Sequence, residues 1–485
     1  MSVSENKIAM ETVIGLEVHV ELNTRTKMFC ACPTTFGAPP NTLCCPVCAG
    51  LPGGSPRLNR RAVEKAVTAG LALHCEIAEI CRMDCKQYFY PDLPKAYQIS
   101  QNEYPLCKNG YLDVSVEGET KRIGITRIHM EEDAGKLIHA DGETLLDCNR
   151  CGVGLIEIVS EPDLRGADEA VAYLKALREI LLACNVSDCK LQEGSFRCDV
   201  NLSLRPLGTS LLGVRTEIKN LNSFSFVEKA IAAEIHRQMR ELEMEGEVRS
   251  RTVRFLPDQN RTEPMRPKES AAEYRFFPEP KLPPIRVTEQ DLERLRERLP
   301  ELPSEKRCRL QKNYGITEKD AFTLSSHATL CAFFEEAAAM GGSPIPVCNL
   351  LLNDLLPMCC EEPFSSPVSA ARLGELGALL LDGRITRGVS KKLLIRLSEA
   401  DFSPAELAEA EGLTVIRDRE LILQWVEEVM KEDPQSVADY RGGRSHALRA
   451  LQGRLMKKSE GRADPKLAET LLLENVMKKE GEGTV

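Results

Sequence analysis

The sequence predicts an α+β chain with a mixed front domain, an all-helical middle and a small helical tail. Three observations carry that prediction. β-branched segments punctuated by glycine fill the front half, a proline-rich stretch follows at 276–287, and the text beyond it has helical spacing. At 485 residues the chain has room for about three domains of roughly 150 residues each.

Five front segments read as strands: VIGLEVHVEL at 13–22, RIGITRI at 122–128, GLIEIVS at 154–160, FRCDVNLSLRP at 196–206 and VRTEIKNL at 214–221. Residues 167–184 and 225–246 are apolar at i, i+3 or i+4 and read as helices. The first of these opens on acidic residues, which suit the positive end of a helix dipole. FFPEPKLPPIRV at 276–287 can continue neither a helix nor a central strand, because proline fixes φ and lacks the N–H, so it marks a boundary. Helical text follows, and a last segment from about 411 ends in a helix near 465–479. The predicted division is 1–290, 291–410 and 411–485. No internal repeat is evident.

Charge narrows the function classes. Acidic residues number 73 against 63 basic ones, a net charge of −10. That excludes a protein that holds nucleic acid by overall charge, yet allows a local basic patch. No apolar run is long enough to span a bilayer, and the first ten residues lack a secretory core. The expectation is a cytoplasmic protein with no membrane partner. Nineteen cysteines in so long a chain point to free or metal-bound thiols rather than disulfide staples.

Alternation along a strand separates core from chemistry. In the first strand Ile14, Leu16, Val18, Val20 and Leu22 share one face, and Gly15, Glu17, His19 and Glu21 the other. In FRCDVNLSL the polar face carries Arg197, Asp199, Asn201, Ser203 and Arg205. In VRTEIKN, Val214, Thr216 and Ile218 oppose Arg215, Glu217 and Lys219. The alternation slips around RIHMEEDAGK, which suits a bulge bringing Glu131 and Glu132 round together. Any half-buried strand has a wet face, but three that offer carboxylates, an amide and an imidazole suit a hard ion such as Mg2+. Lys219 and Arg205 would offset charge on a transferring phosphoryl group. No glycine-rich phosphate loop is present, so a nucleotide would be held by metal and side chains. The loop at 85–98, where Lys86 and Lys95 flank Tyr88, Phe89 and Tyr90, either contributes to such a site or is a surface loop with an aromatic plug.

Cys30 and Cys32 precede Cys45 and Cys48 with twelve residues between the pairs, a spacing that suits four thiolates around a structural Zn2+. Cys44 is surplus and can replace Cys45 in that set. The alternative is a group of free thiols. In the tail, residues 441–466 hold eight basic against two acidic residues. Arg441, Arg444, Arg449, Arg454, Lys457 and Lys458 are the candidates for phosphate-backbone contacts to RNA, the alternative being a solvated basic helix.

The runs VIGLEVHVEL, FGAPPNTLCCPVCAGLPG, YFYPDLPKAYQIS, RIGITRIHMEEDAGK, GLIEIVSEPDL, EGSFRCDVNLSLRP and TEIKNLNSF resemble the B subunits of the aspartyl/glutamyl-tRNA amidotransferases. The resemblance covers essentially the whole chain. It implies an antiparallel-sheet cradle domain of glutamine-synthetase-like kind, a helical domain and a YqeY-like tail that binds tRNA. It also implies a carbon–nitrogen ligase that takes its amide nitrogen from glutamine. ATP and Mg2+ would serve to phosphorylate the side-chain carboxylate of Glu or Asp mischarged on tRNA, and ammonia would displace the phosphate. A partner amidase subunit would release that ammonia, and a small third subunit would complete a heterotrimer. Carried over by motif, Glu17, His19, Glu131, Glu132, Asp199 and Glu217 form the kinase-like site, with Glu17, His19, Glu132, Asp199 and Glu217 as Mg2+ ligands. Lys95, Arg205 and Lys219 would meet the nucleotide, and Lys86 belongs to a loop facing ammonia and substrate.

Three stretches depart from the family pattern. Lys281 stands where an acid is usual, NRCGVG at 149–154 replaces NRQGTP, and Arg449 and Arg454 replace small or neutral residues. The rival reading is a non-catalytic, zinc-stabilised subunit that only presents tRNA to another enzyme.

Overall fold

The computed structural model describes residues 9–140, 142–244, 246–265, 274–341, 343–361 and 364–477. It divides into two compact units, Met1–Leu302 and Pro303–Val485.

The first unit is built on a nine-stranded sheet. Its strands are β1 Met10–Glu21, β2 Glu76–Ile77, β3 Cys107–Val116, β4 Glu119–Glu132, β5 Gly154–Ser160, β6 Phe196–Pro206, β7 Thr216–Lys219, β8 Arg251–Leu256 and β9 Arg261–Pro264. Their order across the sheet is β9-β8-β7-β6-β1-β5-β4-β3-β2. Neighbours are antiparallel except β7 and β8. Three helices accompany the sheet: α1 Arg60–Ala72, α2 Ala167–Ala183 and α3 Phe224–Met244. A parallel pair needs a crossover, and α3 supplies it between β7 and β8.

The predicted parity of β1 and β6 is what sorts this sheet. Ile14, Leu16, Val18 and Val20 are fully buried with Phe196, Val200 and Leu202 in one apolar cluster, joined there by Ala66, Leu174, Leu177 and Ile231 of the helices. Burying a Val, Leu or Phe side chain contributes about 1.5–3 kcal/mol, so this face fixes the register. Glu17, His19, Glu21, Arg197, Asp199 and Asn201 are only half-buried on the other face. Val214 is a correction: it precedes β7 and is exposed rather than packed, because the strand begins at Thr216.

The second unit is helical apart from a two-residue pairing of Cys360–Glu361 with Phe364–Ser365. Its buried apolar residues form two clusters, one from Leu310 to Ala408 and one from Ile422 to Val476. The latter belongs to α4 Arg419–Glu432, α5 Pro434–Arg441, α6 His446–Lys458 and α7 Pro465–Val476. Asp418, Asp433 and Asp464 cap α4, α5 and α7 by accepting from first-turn N–H groups. Among the described residues no helix is long and apolar enough to cross a membrane.

Candidate functional site

Register converts the polar positions into rows across the sheet. His129, Glu157, His19 and Arg197 stand side by side on β4, β5, β1 and β6. In the next row Val159, Glu17 and Asp199 are neighbours, and beyond it Gly15, Asn201, Glu217 and Thr252. Residues more than 100 positions apart are thereby brought within hydrogen-bond reach.

The centre of this face is His19. Its Nδ1 lies 3.1 Å from Glu131 Oε1 and 3.9 Å from Glu157 Oε2, and one ligand atom from each of the three lies within 4.8 Å of the others. His129 Nε2 approaches the same carboxylates, at 3.4 Å from Glu157 and 3.8 Å from Glu131. Burial opposes charge on His19, but the hydrogen bond and charge of Glu131, with Glu157 behind it, hold the imidazole at about 9. Glu131 is itself buried, which disfavours ionisation, yet bonds with His129 and His19 keep it well below the usual carboxylate range. The donor set of two carboxylates and one imidazole fits a hard divalent ion that is not fully dehydrated.

The second row is tied by a lysine. Lys219 Nζ lies 2.8 Å from Asp199 and 2.9 Å from Glu217, and Glu217 also accepts from Thr252 at 2.9 Å. Burial works against the Lys219 charge, but Asp199 and Glu217 raise its pKa above the ordinary lysine value. Glu17 accepts from Asn201 Nδ2 at 2.8 Å. Further along β1, burial and then the charge of Asp133 push Glu21 up to about 8. Asp133 in turn accepts from Arg197 at 2.9 Å. Glu21, Arg197, Asp199, Asn149 and Arg150 line a cavity of about 680 Å³.

Three expectations are corrected. The sheet irregularity falls at Val159/Ser160, opposite Ile125 to Arg127, whereas residues 127–132 pair one to one with 159–154. With no extra residue there, Glu131 and Glu132 point to opposite faces. Glu132 therefore leaves the Glu17–Asp199 set: it accepts from Lys95 Nζ and from Ile99 N at 2.9 Å, and lines a separate cavity of about 210 Å³ with Cys30, Cys48 and Lys281. Lys95 goes with it. Arg205 is six residues beyond Asp199 on β6, about 20 Å along the strand, and is engaged by Glu11 at 2.6 Å. Lys86 places its Nζ 4.6 Å from the centre of the Tyr274 ring.

The four cysteines converge. The sulfurs of Cys30, Cys32, Cys45 and Cys48 all lie within 4.8 Å of one another, while Cys44 turns to the carbonyl of Asn41 at 3.2 Å. Cys45 N donates to Cys48 Sγ at 3.2 Å, and Ala49 N to Cys45 O at 2.9 Å, which shapes the loop as a tight knuckle. Gly50, at φ +70°, is needed there, since a Cβ would sit 2.8 Å from Lys95 N. Lys27 is completely buried, with Nζ 3.4 Å from Cys48 Sγ and 3.2 Å from Cys148 O. An ammonium in that position has to be compensated, and thiolates do so. A hydrogen bond from Cys30 pulls the Cys48 thiol down to about 4, with Lys27 assisting. The donor set fits Zn2+.

The basic tail is less free than its sequence count. Arg454 pairs with Asp433 at 2.8 Å, Lys458 with Glu428 and Glu432 at 2.6 and 2.7 Å, and Arg444 with Asp439 at 3.3 Å. Arg441 donates to Val476 O at 2.8 Å. Arg449 and Lys457 are exposed on α6 without an ion pair among the described residues.

Glu157 and His129 were not singled out from sequence, although Glu157 is the one charged residue in GLIEIVS and parity would have found it. A sheet with an acidic, imidazole-bearing face and a four-thiol knuckle, followed by a helical unit, defines the GatB/GatE class. The family model described as "GatB/GatE catalytic domain" matches residues 12–293, and a second, "GatB domain", matches 332–476. The chain belongs to the family of B subunits of aspartyl/glutamyl-tRNA(Asn/Gln) amidotransferases. It is 49% identical to the B subunit from Caldanaerobacter subterraneus subsp. tengcongensis, covering 96% of this chain and 99% of that one. It is 46% identical to the B subunit from Synechococcus sp. over 97% and 98% of the two chains, and 44% identical to a B subunit from Clostridium acetobutylicum over 97% and 99%.

Proposed function

We infer that this chain activates the side-chain carboxylate of Glu-tRNA(Gln), Asp-tRNA(Asn) or both by ATP-dependent phosphorylation, after which ammonia displaces the phosphate. The observation that carries this reading is the meeting of His19, Glu131 and Glu157 from three strands within 4.8 Å. With Glu17 and Asp199 in the adjoining row they would hold Mg2+, whose chemistry there is to neutralise charge on the phosphate oxygens. Lys219, poised between Asp199 and Glu217, would release one carboxylate and face the transferring group. Arg197 and Arg150, clamped on Asp133, would orient an anionic substrate in the larger cavity. Glu132 and Lys95, on the other side of the sheet edge, would act with Lys86 on the path by which ammonia arrives.

The names of the relatives support assembly with an amidase subunit and a small third subunit, and tRNA as substrate. The cradle at 1–290 would be glutamine-synthetase-like, 291–410 a helical spacer, and 411–485 the tRNA-binding tail. Zn2+ on Cys30, Cys32, Cys45 and Cys48 would be structural, since the protein fills all four positions. The pairing of Asp199 and Glu217 through Lys219 favours the rival, a zinc-stabilised subunit that presents tRNA without doing chemistry. Asp199→Ala in the reconstituted complex separates the two. Loss of ATP- and tRNA-dependent amidation with glutamine hydrolysis retained supports catalysis here, and full amidation supports presentation.

A further inference from the structure

Cys148 and Cys151 enclose the turn Cys148-Asn-Arg-Cys151 that follows a short hairpin, and this stretch departs from the family pattern at Cys151. Cys151 N donates to Cys148 O at 3.1 Å, the closing bond of a four-residue turn. Such a turn keeps its first and last Cα atoms within about 7 Å, the span across which a disulfide forms. The two thiols are hydrogen-bonded to each other. Cys148 is half-buried and Cys151 buried, so one thiol is reachable from outside and the other only through its neighbour.

The turn is held from both sides. Cys148 N donates to Asn41 Oδ1 at 2.7 Å, Asn149 Nδ2 to Pro39 O at 2.7 Å, and Leu43 N to Asn149 Oδ1 at 2.8 Å, all on the loop that carries Cys45 and Cys48. Arg150 donates to Ala134 O and Gly135 O, both at 2.9 Å, just past Glu131 and Glu132. Gly152, at φ +80°, leaves room for Cys48 and Glu132, whose nearest atoms would be 3.3 and 3.7 Å from an added Cβ. Gly152 lines the smaller cavity, whereas Asn149 and Arg150 line the larger one. The turn is part of the wall between them.

We propose that Cys148 and Cys151 form a reversible dithiol–disulfide pair, a modification site separate from the four-thiol knuckle, which exchanges with small disulfides such as oxidised glutathione. The Cys148 thiolate attacks the glutathione disulfide, forming a mixed disulfide and expelling one glutathione thiolate. Cys151, deprotonated, then attacks the Cys148 sulfur, forming the internal disulfide and expelling the second. Two protein thiols are oxidised and one glutathione disulfide is reduced to two thiols, with two protons released to solvent. Closing the bond fixes the turn that carries Arg150 and Gly152.

The test uses the full chain, purified reduced and with its zinc content measured, then incubated with oxidised glutathione and alkylated before peptide mass spectrometry. Wild type is expected to lose two alkylatable thiols, to yield a Cys148–Cys151 linked peptide and to keep its zinc. Cys151→Gln, which restores the family's usual residue, is expected to stop at the first step and accumulate glutathione on Cys148. The proposal is overturned if both thiols stay alkylatable, or if the links run instead to Cys30, Cys32, Cys44, Cys45 or Cys48. Equal oxidation in Cys151→Gln without trapped glutathione would overturn it as well.

Discussion

The acidic face of the sheet and the basic tail helix are both clusters of charge, yet they are assembled in opposite ways. On the sheet, strands distant in sequence bring residues of one kind together, so the local field is stronger than any segment suggests. On α6, residues that look like a continuous basic patch are answered by acids from α4 and α5, so the local field is weaker. Charge counted along a chain reports neither outcome. Register reports the first, and helix packing the second.

The comparison can be broken at its strongest point. Asp199→Ala and Glu131→Ala should each lower ATP- and tRNA-dependent amidation by at least about 100-fold, with partner-catalysed glutamine hydrolysis preserved. Amidation within a few-fold of wild type in either would remove the site from this face. Next in size is the knuckle. Cys45→Ser/Cys48→Ser should lose bound zinc by elemental analysis and melt several degrees lower, whereas Cys44→Ser should keep both metal and melting temperature. Unchanged zinc in the double variant refutes the ligand set.

A smaller effect concerns pH. Glu21 is raised to about 8 in the fold, so folding is unpenalised below its ordinary value of 4.5 and increasingly penalised as pH rises through 8. Glu21→Gln removes the penalty. Its melting temperature should match wild type near pH 4.5 and exceed it progressively up to pH 8.5, and a pH-independent difference would contradict this assignment. The smallest effects are expected in the tail. Arg449→Ala and Lys457→Ala should each reduce the salt slope of tRNA binding by about 1, while Arg454→Ala, whose charge is already paired with Asp433, should change it less. Equal slopes for all three would make the through-space compensation irrelevant.

Much of the sheet was legible because alternation is a strict period. Phe196–Pro206 forms β6 to the residue, and the buried and half-buried faces of β1 follow its parity. The four-thiol knuckle was legible from spacing, and geometry then prefers Cys45 to Cys44. Glu132 was misplaced because two adjacent glutamates look like one cluster in text, whereas a regular ladder sends them to opposite faces. Arg205 was misplaced because parity fixes the face of a strand but not the distance along it. His129 escaped notice because its partners, His19 and Glu157, come from strands that only the sheet order makes neighbours.

The most direct measurement is amide formation on mischarged tRNA by the reconstituted complex, with ammonium chloride as nitrogen donor, comparing Glu157→Gln with wild type. The donor bypasses the amidase subunit, so only the activation step is read. The account predicts that Glu157→Gln loses both amide formation and tRNA-dependent ATP consumption while remaining folded. Near-wild-type amide formation by Glu157→Gln would contradict it.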